Sequence, residues 1–109
     1  MSRKDQGSDP FVGEMRARIN ETDTEILAAV NRRLALVESL HAHKAQHGYP
    51  IVDRAREEAL LDALSAQNPG PLSAAGVREL FETLIAIVTR EAAEQRSRAT
   101  TSPRRNHPG

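Results

Sequence analysis

Residues 14–46, EMRARINETDTEILAAVNRRLALVESLHAHKAQ, contain neither glycine nor proline and are rich in Ala, Leu, Arg and Glu, so they read as one long α-helix. Asp9 and Pro10 supply its start, a capping carboxylate followed by proline at the first helical position. Gly48 and Pro50 end it. At about 1.5 Å per residue the helix is roughly 50 Å long, more than the width of a compact domain of this size. Its apolar stripe, Met15, Ile19, Ile26, Val30, Val37 and Leu40, recurs at near-heptad steps. Shorter helices of the same chain cannot cover that stripe, whereas a second copy of the helix has the matching length. The expected fold is therefore all-α, three helices per chain with one very long first helix, assembled as an intertwined homodimer. A monomeric antiparallel bundle with a kinked first helix is the competing arrangement.

The remaining chain is punctuated to match. Asp53 caps a second helix through about Ser65, which Asn68-Pro69-Gly70-Pro71 stops. Ser73 caps a third helix that runs to about Arg96, with Leu72 and Val77 placed as an apolar staple around its start. No stretch alternates as a strand would. The domain spans residues 10–96; residues 1–9 and the polar stretch 97–109, SRATTSPRRNHPG, lack the apolar content to bury anything and are expected to be disordered tails.

Composition removes several function classes. Fifteen basic and 15 acidic side chains, with a pI near 6.9, leave no net field to attract nucleic acid or an anionic membrane. Three aromatic residues, Phe11, Tyr49 and Phe81, are too few for a base-stacking surface. Without cysteine there is no disulfide framework and no thiolate metal site. The N-terminal MSRKDQGSDP has no apolar core of the signal-peptide kind, and a cytoplasmic protein is expected.

Charge chemistry must then be local, and it falls on the apolar stripe. Arg33 lies between Val30 and Val37, and Lys44, eleven residues on, returns to within about 20° of it at 100° per residue. On the second helix Glu57 shares a face with Leu60, Leu61 and Leu64, with Asp53 one turn earlier and Arg56 beside it. Single cations at such positions snorkel at the rim of a core. Two aligned cations with an acid facing them describe instead a polar pocket awaiting an anionic ligand. His43 and His47, at i and i+4, lack a third ligand for a metal, and His41 and His47 read as solvated residues near a helix C-terminus, so no metal or other cofactor is called for.

MRARINETDTEILAAVNRR (15–33), HKAQHGYPIVDRAREEALL (43–61) and LFETLIAIV (80–88) together resemble the all-helical type of chorismate mutase over about residues 14–92. The resemblance rests on an ordered set: Arg16, Ile19 four residues before Asp23, the Arg32-Arg33 pair, Lys44, then Pro50-Ile51-x-Asp53-x-x-Arg56-Glu57. It implies an active site within the dimer, with Arg16 contributed by the other subunit. Arg16 and Arg33 would hold the two carboxylates of chorismate, Lys44 would donate to the ether oxygen and a carboxylate, Glu57 with Asp53 would bind the ring hydroxyl, and Arg56 would support the carboxylate side. Leu40 and Ile85 would wall the ring. Guanidinium forks suit carboxylates because two parallel charge-assisted hydrogen bonds fix orientation as well as charge. The implied reaction is an intramolecular [3,3] rearrangement to prephenate, which needs positioning and preorganised donors but no nucleophile or metal.

The chain departs from the family at one place. A Gln or Glu on the last helix usually reaches the ether oxygen beside the lysine, with a small hydroxyl residue one turn before it; here Val88 and Ala92 occupy those positions. Glu91 and Gln95 could substitute only if the helix shifts. The departure leaves other assignments open: a mutase ordered by an activating partner enzyme, a mutase of 4-amino-4-deoxychorismate, an isochorismate pyruvate lyase, or a non-catalytic helical dimer that binds another protein.

Overall fold

A computed structural model describes residues 8–101. It contains three helices, α1 (Pro10–His47), α2 (Arg54–Gln67) and α3 (Ala74–Thr101), and no strand among the described residues. The all-α expectation holds, with helix limits within two residues of those read from the sequence except at the end of α3. There the expected tail is corrected: Ser97–Thr101 continue the helix. The residues after Arg96 include no breaker before Pro103, and extending an existing helix adds one backbone bond per residue fixed, so α3 continues although Ser97 and Arg98 are exposed. The rest of both expected tails lies outside the described residues.

The helix starts are capped as the sequence requires. Asp9 Oδ1 accepts from the Phe11 and Val12 amides (2.9 and 3.4 Å), Asp53 Oδ1 from Arg56 N–H (3.0 Å), and Ser73 Oγ from Gly76 N–H (2.9 Å). Between α2 and α3, Asn68 closes the turn by donating to the Leu72 carbonyl (2.6 Å) and accepting from Gly70 N–H (3.1 Å).

The chain divides into two compact units, one ending at Arg33 and one beginning at Leu34. The first, over its described residues, is α1 up to Arg33. None of its side chains is buried, and Ile19, Ile26 and Leu27 are each more than half exposed. The second holds the end of α1, α2 and α3, and contains every buried residue: His41, Leu61, Val77, Val88 and Ala92. In it α2 and α3 pack antiparallel. Arg78, near the start of α3, forms ion pairs with Glu58, Asp62 (3.4 Å) and Glu82 (3.5 Å), while Ile85, two turns later, lines a cavity with Arg54, Glu57 and Leu61. Glu58, and then Asp62, hold the Arg78 guanidinium above its ordinary pKa. The middle of α3 is thereby brought beside the start of α2. No described helix is long and apolar enough to cross a membrane.

Candidate active site

The end of α1 fixes Lys44 twice. Gly48 has φ of 71°, the left-handed conformation that glycine adopts without a Cβ penalty, and it lets Tyr49 N–H donate to the Lys44 carbonyl (2.9 Å) and Gly48 N–H to the Ala45 carbonyl (3.4 Å). This turn carries the chain back along the lysine, whose Nζ donates to the Ile51 carbonyl at 3.2 Å. Lys44 is half-buried, and no acidic side chain pairs with it among the described residues. An ammonium has three protons, so two remain for a ligand.

Lys44 and Asp53 line one cavity, of about 430 Å³, with Tyr49, Pro50, Val52 and Arg54. Asp53 spends one carboxylate oxygen on the α2 cap and keeps Oδ2 without a donor among the described residues. Glu57, one turn on, is half-buried, has no ion-pair partner among the described residues and lines a second cavity of about 240 Å³ with Ile85. Arg54 lines both cavities. The motif pattern favours Arg56 instead, whose side chain is exposed and lines neither; the available signal for Arg54 was that it directly follows the capping aspartate.

On α3 the inward positions are Val88 and Ala92, 2% and 0% exposed, whereas Gln95 is exposed and Glu91 is half-buried beside Arg90 (4.0 Å). Neither Gln95 nor Glu91 is among the buried positions of α3.

His41 requires a correction. Expected in solvent, it is 6% exposed, and its Nδ1 lies 2.9 Å from Arg96 Nη1 on α3. The physical reason is its place on the wheel, four residues after Val37 and three before Lys44, which puts it on the inward side of α1. Burial first, then the charges of Arg96 and Lys44, lower its pKa from the usual histidine value, so the ring is neutral. His43, His47 and Tyr49 instead stack on one another at the exposed end of α1. Among the described residues no three His, Cys, Asp or Glu side chains gather as metal ligands.

Besides Arg56, Val88 and Ala92, three further expected site residues line neither cavity. Leu40 is half exposed on α1. In the unit ending at Arg33, Arg33 is half-buried with no acidic partner among the described residues, and Arg16 is exposed.

The sequence profile of the family described as chorismate mutase type II matches residues 15–93, from the start of α1 to just past Ala92. The chain belongs to that family. Two solved structures are similar to it, both of chorismate mutase from Thermus thermophilus. One, designated form II, has a TM-score of 0.75 at 28% identity and covers 77% of this chain and 96% of its own. The other, form I, has a TM-score of 0.70 at 30% identity over 71% of this chain and 96% of its own. No curated protein matches the chain. As a chorismate mutase the protein is an isomerase, and its site has only to bind, bend and polarise one molecule. Within the second unit Lys44 and Asp53 line one cavity, Glu57 and Ile85 line another, and Val88 and Ala92 are buried on α3.

Proposed function

We propose that the protein converts chorismate to prephenate in a site completed across a homodimer, using Arg16 of one subunit with Arg33, Lys44, Asp53, Arg56 and Glu57 of the other. The observation that carries this reading is Lys44, an ammonium with no acidic partner, held by a backbone carbonyl at the rim of a cavity that it shares with Asp53. Arg33 and Arg16 enter on the motif spacing and bind the substrate carboxylates. Holding both carboxylates folds the enolpyruvyl arm over the ring, which converts a rare conformer into the bound one. The ether C–O bond then breaks as the C–C bond forms, and negative charge grows on the ether oxygen. Lys44 meets that charge. A preorganised donor of this kind is worth roughly 2.7–4 kcal/mol in other enzymes. Glu57 and Asp53 Oδ2 accept the ring hydroxyl, Arg56 supports the carboxylate side, and Leu40, Ile85, Val88 and Ala92 supply apolar walls.

The dimer is supported by the exposed apolar side chains of α1. Ile19, Ile26, Leu27, Leu36 and Leu40 are all half exposed or more, large apolar side chains left without cover among the described residues. The charge balance and the absence of a membrane-spanning helix among the described residues suit a cytoplasmic enzyme of aromatic amino acid biosynthesis in the shikimate pathway.

The test is the loss of chorismate absorbance with purified protein, together with thermal stabilisation by a bicyclic dicarboxylate that mimics the transition state. Turnover and stabilisation are expected. A folded protein that does neither overturns the reading. The unpaired Glu57 would also suit a cationic amine at the same ring carbon, so faster turnover of 4-amino-4-deoxychorismate would move the assignment to that substrate.

A further inference from the structure

His41 is the buried polar side chain of the described residues, and the mechanism above makes no use of it. Its geometry decides its chemistry. A guanidinium only donates, so Nδ1, 2.9 Å from Arg96 Nη1, is an acceptor, and the proton of the neutral ring sits on Nε2. That Nε2–H has no acceptor among the described residues. Native structures rarely bury a donor without a partner, so this one calls for an explanation, of which a bound ligand is one.

Its surroundings identify what the ligand offers. Lys44 stands three residues further along the same side of α1, close enough for its charge to lower the basicity of the ring. Across from His41, Arg96 is one turn after Ala92 and two after Val88, the two buried positions of α3 that bear no polar group. The family pattern places a donor on α3 at Ala92, beside the lysine. Here that position carries a methyl group, and the residue one turn beyond it on α3, Arg96, is bonded to an imidazole from α1.

We propose that His41 Nε2–H is the second donor to the ether oxygen, acting next to Lys44, and that Arg96 is the positioning residue that fixes its tautomer. The inference rests on the chorismate reading given above. His41 transfers no proton: it strengthens a hydrogen bond as charge grows on the oxygen, while the only bonds made and broken are the C–C and C–O bonds of the substrate. Its neutral form suits this role, because a neutral donor acts chiefly on the charge that develops in the transition state.

Steady-state kinetics with chorismate test it, with helicity and dimer content measured alongside. His41→Ala should lower kcat about a hundredfold and change KM by less than about threefold. His41→Leu, which keeps the packing and removes the donor, should behave the same, which covers the case in which the alanine variant does not fold. His41→Gln retains an N–H at similar reach and should keep at least about a tenth of wild-type kcat. Ala92→Gln placed in the His41→Ala background returns a donor from α3 and should recover kcat by about tenfold or more, which a packing role for His41 does not predict. For Arg96, the imidazole 15N shifts of His41 should report the Nε2–H tautomer in the wild type and a tautomer mixture in Arg96→Met. Wild-type turnover that survives both His41→Ala and His41→Leu overturns this inference alone, as does an equal fall in His41→Gln and His41→Leu. A wild type without chorismate turnover overturns this inference together with the reading beneath it.

Discussion

The two units of the chain solve the burial problem in opposite ways. From Leu34 onward, α2 and α3 pack against each other, and among the described residues the five buried ones all lie there, one of them a histidine of α1 bonded to an arginine of α3. Up to Arg33 the described chain is a single helix with no buried residue, although it carries Ile19, Ile26 and Leu27. The contrast teaches that helix formation and helix burial are separate demands. Caps and propensity meet the first within one chain, while the second is met in part where α2 and α3 pack and is left unmet along α1, where Leu36 and Leu40 are half exposed or more, like Ile19 and Ile26.

Charge deletion separates the units by function and should have the largest effect. Lys44→Ala and Arg33→Ala should each lower turnover by two to three orders of magnitude, with helicity retained, because each removes an unpaired cation rather than a packing contact. Undiminished activity in both would show that the motif positions do not form the site. Ile26→Asp should act on the first unit alone. It removes apolar burial worth roughly 1.5–3 kcal/mol from each of the two subunits and so weakens dimer association by about a hundredfold or more, read by sedimentation at micromolar concentration. A wild type that sediments as a monomer with full helicity would end the dimer proposal. Mixing Arg16→Ala and Arg33→Ala subunits sharpens the same point: if Arg16 crosses the interface, half the dimers regain one of two sites, and activity returns to about a quarter of wild type. No recovery places both arginines in one subunit's site.

The smallest expected effect concerns pH. Burial, then Arg96 and Lys44, hold the His41 pKa below its unfolded value near 6.5, so the unfolded chain takes up a proton before the folded one does. This group's contribution to stability is full above pH 6.5 and falls as pH drops from there through the lowered folded pKa. Urea melts at pH 7.5 and 5.5 should show the loss, and His41→Gln should reduce the slope. An unchanged slope would mean that other groups govern it.

Much of this was legible in the sequence, for physical reasons that differ by residue. The helices announced themselves through Asp9, Asp53 and Ser73 at their starts and Gly48 at the end of α1, because capping and left-handed turns are local demands met by particular residues. Lys44, Asp53 and Glu57 were legible because charged groups on apolar faces are costly without a purpose. His41 was not, since a histidine beside a helix end is equally at home in water, and only its bond to Arg96, 55 residues away, distinguishes the cases. The extent of α3 was missed for a similar reason: Ser97 and Arg98 are exposed and polar, and composition from there on gives no sign of a helix.

The bond from Lys44 Nζ to the Ile51 carbonyl has an evolutionary corollary. Its acceptor belongs to the main chain, so no exchange of the side chain at position 51 deletes it. The segment between α1 and α2 is accordingly free to diverge in identity while the lysine keeps its aim, provided that the reversal at Gly48 survives. An alanine there, forced into the left-handed conformation, would cost about 1 kcal/mol. Drift in this connection should therefore leave the rate intact and concentrate its costly changes at one glycine, which a saturation library over residues 48–52, selected for growth without the pathway product, would reveal as the least tolerant position.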